Sequence, residues 1–444
     1  MSFFRFASVS LLFFLTLTAL GQGIEFENGT WSDAIRKARK QKKLLFLHVD
    51  SPTCTQCNEV ATKGFSNSVL REKFAVNFIS FRTNTDAELG KRVLNRYEMK
   101  GIGSLFLDTE ENLLFKYPAT TSYALMYLEA ADKALAERNR VPINVLEKEY
   151  VTGKRDPAFL RNLIERRTQL TLANDDVLDE YVRILPPDSL RTLSLQTFLF
   201  GQGPVLGSRA DSVMRLDRAR LNLIYTSVPY EKAIETNNRI ISKTAAKAIR
   251  ERNSILAYRT ANFARGTYDN DIRRGIKVFD WHLMNYRRGI GDTTGYLLAT
   301  TWYYDTHLMT VGVDSIRRVD EEALQKRLNM PSKPGEVRVM GVVARQQTGQ
   351  TTRELNEGAM SFVDMARRPT DWGKALTWST RALEFSPDEP NVMDTHARLL
   401  HKLGRRPEAV EWLQKVVNLQ KERVFGTPGG FFETTLQKMK DGTL

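Results

Sequence analysis

The pattern of apolar and polar positions changes character several times along the chain. After Arg5, an apolar stretch from Phe6 to Leu20 ends in the small residues around Ala19-Leu20-Gly21. This pattern predicts a secretory signal peptide over 1–22, cleaved near Gly21 or Gln22. Its apolar core is too short to span a bilayer, and no cysteine follows it to take a lipid anchor. The expected product is therefore exported, periplasmic or extracellular, with no stable membrane insertion after cleavage.

From Ser32, taken as an N-cap, Ala34, Ile35 and Ala38 recur at helical spacing to about Gln41, and the opposite face is almost wholly basic. Leu44 to Val49, with His48 the one polar residue in it, is a short apolar run of the kind buried on both faces of a parallel sheet. Asp50-Ser51-Pro52 ends it, and a helical stretch then runs to about Lys63. A helical piece at Val69–Phe74 precedes a strand over Val76–Arg82 and a helix over Asp86–Tyr97. Ser104–Leu107 and Leu113–Tyr117 read as strands joined through the polar turn Asp108 to Asn112, and a helix over Ser122–Arg138 closes the unit.

Beyond Val141 the periodicity is helical almost throughout, broken at Pro186-Pro187, Gly201 to Gly207 and Gly289 to Gly291. Aromatic residues such as Phe279, Trp281, Tyr286, Tyr296 and Trp302 fall at helical spacing and read as core. Near the C-terminus a 34-residue correspondence emerges: Ala375 recurs as Ala409, Ala382 as Val416, and Leu383 as Val417. With Pro387 and Gly404 at turns, Asp371 to Gln420 resembles a tetratricopeptide helix pair with flanking helices. Two units are few for a solenoid, so the preceding helices are expected to complete the stack.

Composition narrows the function classes. At 444 residues and 42% hydrophobic the chain can bury two or three cores, which excludes a disordered tail protein. The formal net charge of +13 is scattered over helical faces in short groups such as Arg36-Lys37 and Arg287-Arg288. That distribution reads as solvated surface, and export argues against a nucleic-acid target. No phosphate loop, HExxH or Ser-His-Asp order is present. His282, His307, His396 and His401 show no ligand spacing with each other or with the cysteines, so neither a metal nor another cofactor is expected.

The two cysteines, Cys54 and Cys57, form a CxxC at the junction between the first core strand and the next helix. A bridge between them closes a tiny loop and constrains little of the unfolded chain, so chemistry explains the pair better than stability. At a helix N-terminus, free N–H groups and the positive end of the helix dipole stabilise a Cys54 thiolate. Cys57, one turn on, can attack in turn. Because Thr55 and Gln56 carry no charge, a moderately reducing or isomerase-like pair is expected.

This motif, in this order of elements, resembles the thioredoxin superfamily, in particular an exported branch in which a Trp-led helix (Trp31) ending in Lys-Lys precedes the first core strand. The resemblance covers 23–139. It implies an α/β thioredoxin-like domain, a central mixed sheet flanked by helices; the helical periodicity and the 34-residue correspondence beyond it predict a mostly α-helical, solenoid-like region, with a helical domain over 140–345, tetratricopeptide-like repeats over 346–425 and a tail over 426–444. The resemblance implies Cys54 as nucleophile and Cys57 as resolving thiol, with His48, Thr53, Ile102 and Gly103 as supporting positions. Thr53 stands where the family usually has Trp, and Gly103, after Ile102, where it usually has a cis-Pro. Without proline that bond is expected to be trans or the loop reshaped. His48 replaces the family's buried acid and is either a proton acceptor for Cys57 or a satisfied strand histidine.

The function expected is an extracytoplasmic thiol–disulfide oxidoreductase acting on protein thiols and disulfides, with a protein or peptide partner held on the helical repeats. The alternative is a non-catalytic binding or assembly scaffold on the same architecture.

Overall fold

The computed structural model describes residues 23–52, 54–268, 270–329, 346–422 and 430–443. The signal-peptide expectation over 1–22 and the position of Thr53 lie outside the described residues. By backbone compactness the chain divides between Thr226 and Ser227 into two units.

In the first unit, helix α1 (Trp31–Gln41) opens with a capping box: the Thr30 hydroxyl accepts from the Asp33 N–H at 3.2 Å and the Asp33 carboxylate accepts from the Thr30 N–H at 3.2 Å. The cap is thus two residues earlier than the expected Ser32. Trp31 is drawn into the helix because its ring is buried edge-on against Phe81, 5.5 Å between centroids, while its indole N–H donates to Glu111 at 2.6 Å.

Strand β1 (Leu44–Asp50) is buried along almost its whole length, His48 included, as its largely apolar run predicts. Helix α2 (Thr55–Phe65) follows, then α3 (Ser68–Asn77) and strand β2 (Phe78–Asn84). Val76, expected to begin that strand, instead continues α3 with its side chain exposed, and pairing with β1 starts at Phe78 opposite Leu44. Helix α4 (Glu88–Arg96) leads to the hairpin of β3 (Gly103–Leu107) and β4 (Leu113–Tyr117), and α5 (Ala124–Ala136) completes the layer.

The sheet order is β2-β1-β3-β4, with β1 parallel to β2 and antiparallel to β3, and β3 antiparallel to β4. This mixed sheet flanked by helices is consistent with a thioredoxin-like domain. One face is packed by Phe46, Phe65, Phe74, Phe106 and Tyr127, drawn from β1, α2, α3, β3 and α5. The other is covered in part by α1 and α4, which lie against β2. Side chains thus fill both faces of β1 and fix its register, since a one-residue slip would exchange the two sets.

Helices continue through the rest of this unit from Ile143, and they hold to the sheet domain by polar ties: the Ala173 N–H donates to the Glu98 carboxylate at 2.8 Å, and Arg166 pairs with Glu137.

The second unit is helical throughout its described residues. Trp378 is fully buried there, stacked on Tyr304 at 5.0 Å and edge-on to Phe362 at 4.9 Å. Ala375, Ala382, Leu383, Ala409, Val416 and Val417, the positions of the 34-residue correspondence, are all buried, on helices Pro369–Phe385 and Arg406–Glu422.

His396 lies between these helices, its Nδ1 2.9 Å from the Ser379 hydroxyl and its ring against Trp412. Burial, helped by the charge of Arg405, pushes its pKa down to about 4. The folded value lies below the unfolded one of about 6.5, so the unfolded chain binds the extra proton. The stability His396 contributes is therefore complete above about pH 6.5 and lost as pH falls towards 4. Thermal melts across this range should show a falling midpoint for this unit, with a shallower fall in His396→Phe; parallel profiles for the two proteins would refute the assignment.

Candidate active site

At the C-terminal end of β1 the chain turns abruptly into α2. Cys54 is the N-cap of that helix, and its sulfur accepts from the Cys57 N–H at 3.3 Å. The turn closes through a bond from the Cys54 N–H to the Ser51 carbonyl at 3.3 Å, and the Asn58 N–H donates to the Cys54 carbonyl at 3.2 Å. Cys54 and Cys57 are joined as a disulfide with their Cα atoms 5.3 Å apart. Both are half-buried, so the bridge is not sealed beneath neighbouring side chains.

This geometry can activate one sulfur. On reduction, a thiolate at the N-cap would face a backbone N–H and the positive end of an eleven-residue helix.

Gly103 begins β3 opposite Val49 of β1, and this register places it at the same end of the sheet from which the Cys turn leaves. Among the described residues no peptide bond is cis, so the bond from half-buried Ile102 to Gly103 is trans. The glycine has a packing reason: a Cβ built here would lie 2.6 Å from the Tyr117 carbonyl oxygen, 2.7 Å from Met99 Cε and 3.0 Å from Pro118 Cα.

His48 is fully buried on β1. Its Nδ1 lies 2.9 Å from the Ser104 hydroxyl on β3, and its ring meets Phe65 of α2 edge-on at 4.9 Å. Nε2 is 3.4 Å from Asp50 Oδ1, close enough for charge to be felt, but it makes no well-directed hydrogen bond. Burial lowers the imidazole pKa from its ordinary value, and the Asp50 carboxylate only partly offsets this.

Asp50 is the second half of this cluster. Arg82 of β2 holds it with Nε at 2.5 Å and a terminal nitrogen at 3.0 Å, and also donates to Thr62 of α2 at 3.2 Å. The guanidinium sits over the rings of Phe26 and Phe65. Burial alone would raise the Asp50 carboxyl, but His48 and Arg82 beside it outweigh that and hold it below the usual carboxylate range.

The structure therefore brings Cys54 and Cys57 together, places Gly103 and Ile102 at the same sheet end, and sets His48 among Ser104, Asp50 and Phe65. The sequence reading did not single out Asp50, Arg82 or Asn58. A signal for the first two was available: an acid and an arginine near the C-terminal ends of two adjacent parallel strands, on the faces that carry His48. Among the described residues, no group of three or more His, Cys, Asp or Glu side chains is placed to hold a metal ion. Nor is any helix there long and apolar enough to cross a membrane.

Fold and site together define a small mixed α/β domain bearing a disulfide-bonded CxxC at a strand-to-helix junction, within a mostly helical chain. No protein-family model matches the sequence, and no curated protein does. Among solved structures, the chain is similar to the solution structure of a putative disulphide-isomerase from Bacteroides thetaiotaomicron, at 18% identity. That likeness covers 28% of this chain and 99% of the other, with a TM-score of 0.24.

Proposed function

We propose that the protein is an extracytoplasmic thiol–disulfide oxidoreductase built on a thioredoxin-like domain. The observation that carries this reading is the half-buried Cys54–Cys57 bridge at the N-cap of α2. In the reducing direction the Cys54 thiolate attacks one sulfur of a substrate disulfide, forming a mixed disulfide and releasing one substrate thiolate. The Cys57 thiolate then attacks Cys54 Sγ, which forms the intramolecular bridge and releases the second substrate sulfur. Two electrons pass from the dithiol to the substrate, and a reductant of the thiol class restores the pair. The helix pairs of the second unit, read as tetratricopeptide-like, supply a surface for a protein or peptide partner.

A scaffold reading is favoured by the packing of Gly103, which leaves no room for the proline that the family resemblance implies. Insulin reduction driven by dithiothreitol separates the two. Catalysis by the wild type that disappears in Cys54→Ser supports the oxidoreductase; a wild-type rate no faster than dithiothreitol alone supports the scaffold.

A further inference from the structure

Asn58, the residue after Cys57, spends its whole side chain on one backbone segment. Its Oδ1 accepts from the Ser51 N–H at 3.0 Å and its Nδ2 donates to the Ser51 carbonyl at 2.8 Å. Because the Ser51 backbone offers an N–H donor and a carbonyl acceptor, the carboxamide can satisfy both only in this orientation. The first turn of α2 is thereby clamped to the last residues before the Cys turn, across the segment that carries Cys54.

The clamp has unequal work in the two redox states. With the disulfide formed, a covalent bond already ties the N-cap sulfur to the first helical turn, and the clamp repeats a constraint that exists. With the disulfide reduced, the turn is held by hydrogen bonds alone. Among the described residues these include the bond from the Cys54 N–H to the Ser51 carbonyl, that from the Asn58 N–H to the Cys54 carbonyl, and the two made by the Asn58 side chain. Only with the turn held does a Cys54 thiolate stay at the N-cap, in reach of the Cys57 N–H.

We propose that Asn58 is a positioning residue that stabilises the dithiol form over the disulfide and so sets the redox poise of the Cys54–Cys57 pair. This deepens the thiol–disulfide exchange reading and rests on the pair cycling between its two states. Asn58 acts through Ser51 and Cys54.

The test is equilibration of the full chain with glutathione, in which the protein disulfide and two glutathione thiols give the protein dithiol and one glutathione disulfide. In Asn58→Ala the equilibrium constant for dithiol formation is expected to fall about tenfold, equivalent to a potential about 30 mV more negative. The melting temperature of the reduced variant should fall further, relative to wild type, than that of the oxidised variant. Asn58→Asp keeps an acceptor for the Ser51 N–H but sets a carboxylate against the Ser51 carbonyl. It should shift the equilibrium in the same direction, and it serves should the alanine variant fail to fold.

An unchanged equilibrium constant, or equal losses of melting temperature in both redox states, overturns the proposal and leaves Asn58 an ordinary loop anchor. The outcomes stay separable from the function itself. A wild type inactive on insulin whose variants still shift the glutathione equilibrium refutes only the oxidoreductase reading; an active wild type whose variants do not shift it refutes only the role of Asn58.

Discussion

Phe46→Ala is expected to cost the α/β domain about 3–5 kcal/mol, the range for removing a fully buried aromatic from a packed core. Phe46 sits at the centre of the sheet with its ring 4.8 Å from Phe74, 5.1 Å from Phe106 and 5.9 Å from Phe65. These partners come from α3, β3 and α2, so no single element can shift to refill the space. Urea unfolding followed by a probe confined to this domain would measure the loss. A change under about 1 kcal/mol would mean that the cluster can collapse onto the gap, contrary to the packing described.

The second large effect concerns Gly103. Gly103→Pro would give this chain the residue that the family resemblance implies, yet it is expected to destabilise the domain by about 3 kcal/mol, at the upper end of overpacking. The colliding atoms are the backbone oxygen of Tyr117 and the backbone of Pro118 as well as the tip of Met99. Only the methionine can move aside cheaply. The loss should therefore persist in Gly103→Pro combined with Met99→Ala. A proline variant as stable as wild type would show that the β3–β4 edge is free to open, and the packing account of Gly103 would fail.

Much of the fold can be read from the residues because local and tertiary demands agree. The Leu44–Val49 run is apolar on both faces because both faces of β1 are covered, and a buried parallel strand has no other signature. The hairpin turn was equally legible: Asp108 accepts from the N–H groups of Glu110 and Asn112, each at 2.8 Å, which is the reason an Asp-led polar turn joins those strands. The N-cap position of Cys54 followed from the CxxC standing directly after a strand terminator.

The misreadings have physical causes. Val76-Asn77-Phe78 alternates like a strand, but α3 runs on to Asn77, with the Asn67 side chain capping its start through the Leu70 N–H at 3.0 Å. Ser32 looked like a cap, yet Thr30 with Asp33 forms the better reciprocal pair and lets Trp31 be buried.

The site was legible only along the chain. His48, Asp50 and Arg82 meet through the pairing of β1 with β2, and Asn58 reaches Ser51 through the folding back of a turn. Alternation along the strands puts Asp50 and Arg82 near the strand ends on the face of His48 but does not show that they meet, and linear spacing carries no trace of the Asn58–Ser51 contact. Gly103 reads in sequence as a missing proline; its structural reason, the Tyr117 carbonyl, becomes visible only when β3 and β4 are side by side.

The measurement that bears most directly on the central claim is the pH titration of Cys54 thiolate absorbance in the Cys57→Ala variant, where a single thiol titrates. A sulfur activated by the N-terminus of α2 should ionise between about pH 5 and 8, below the roughly 8.5 of a free cysteine. A midpoint at or above that ordinary value would contradict the account, since the helix would then be giving the sulfur no assistance.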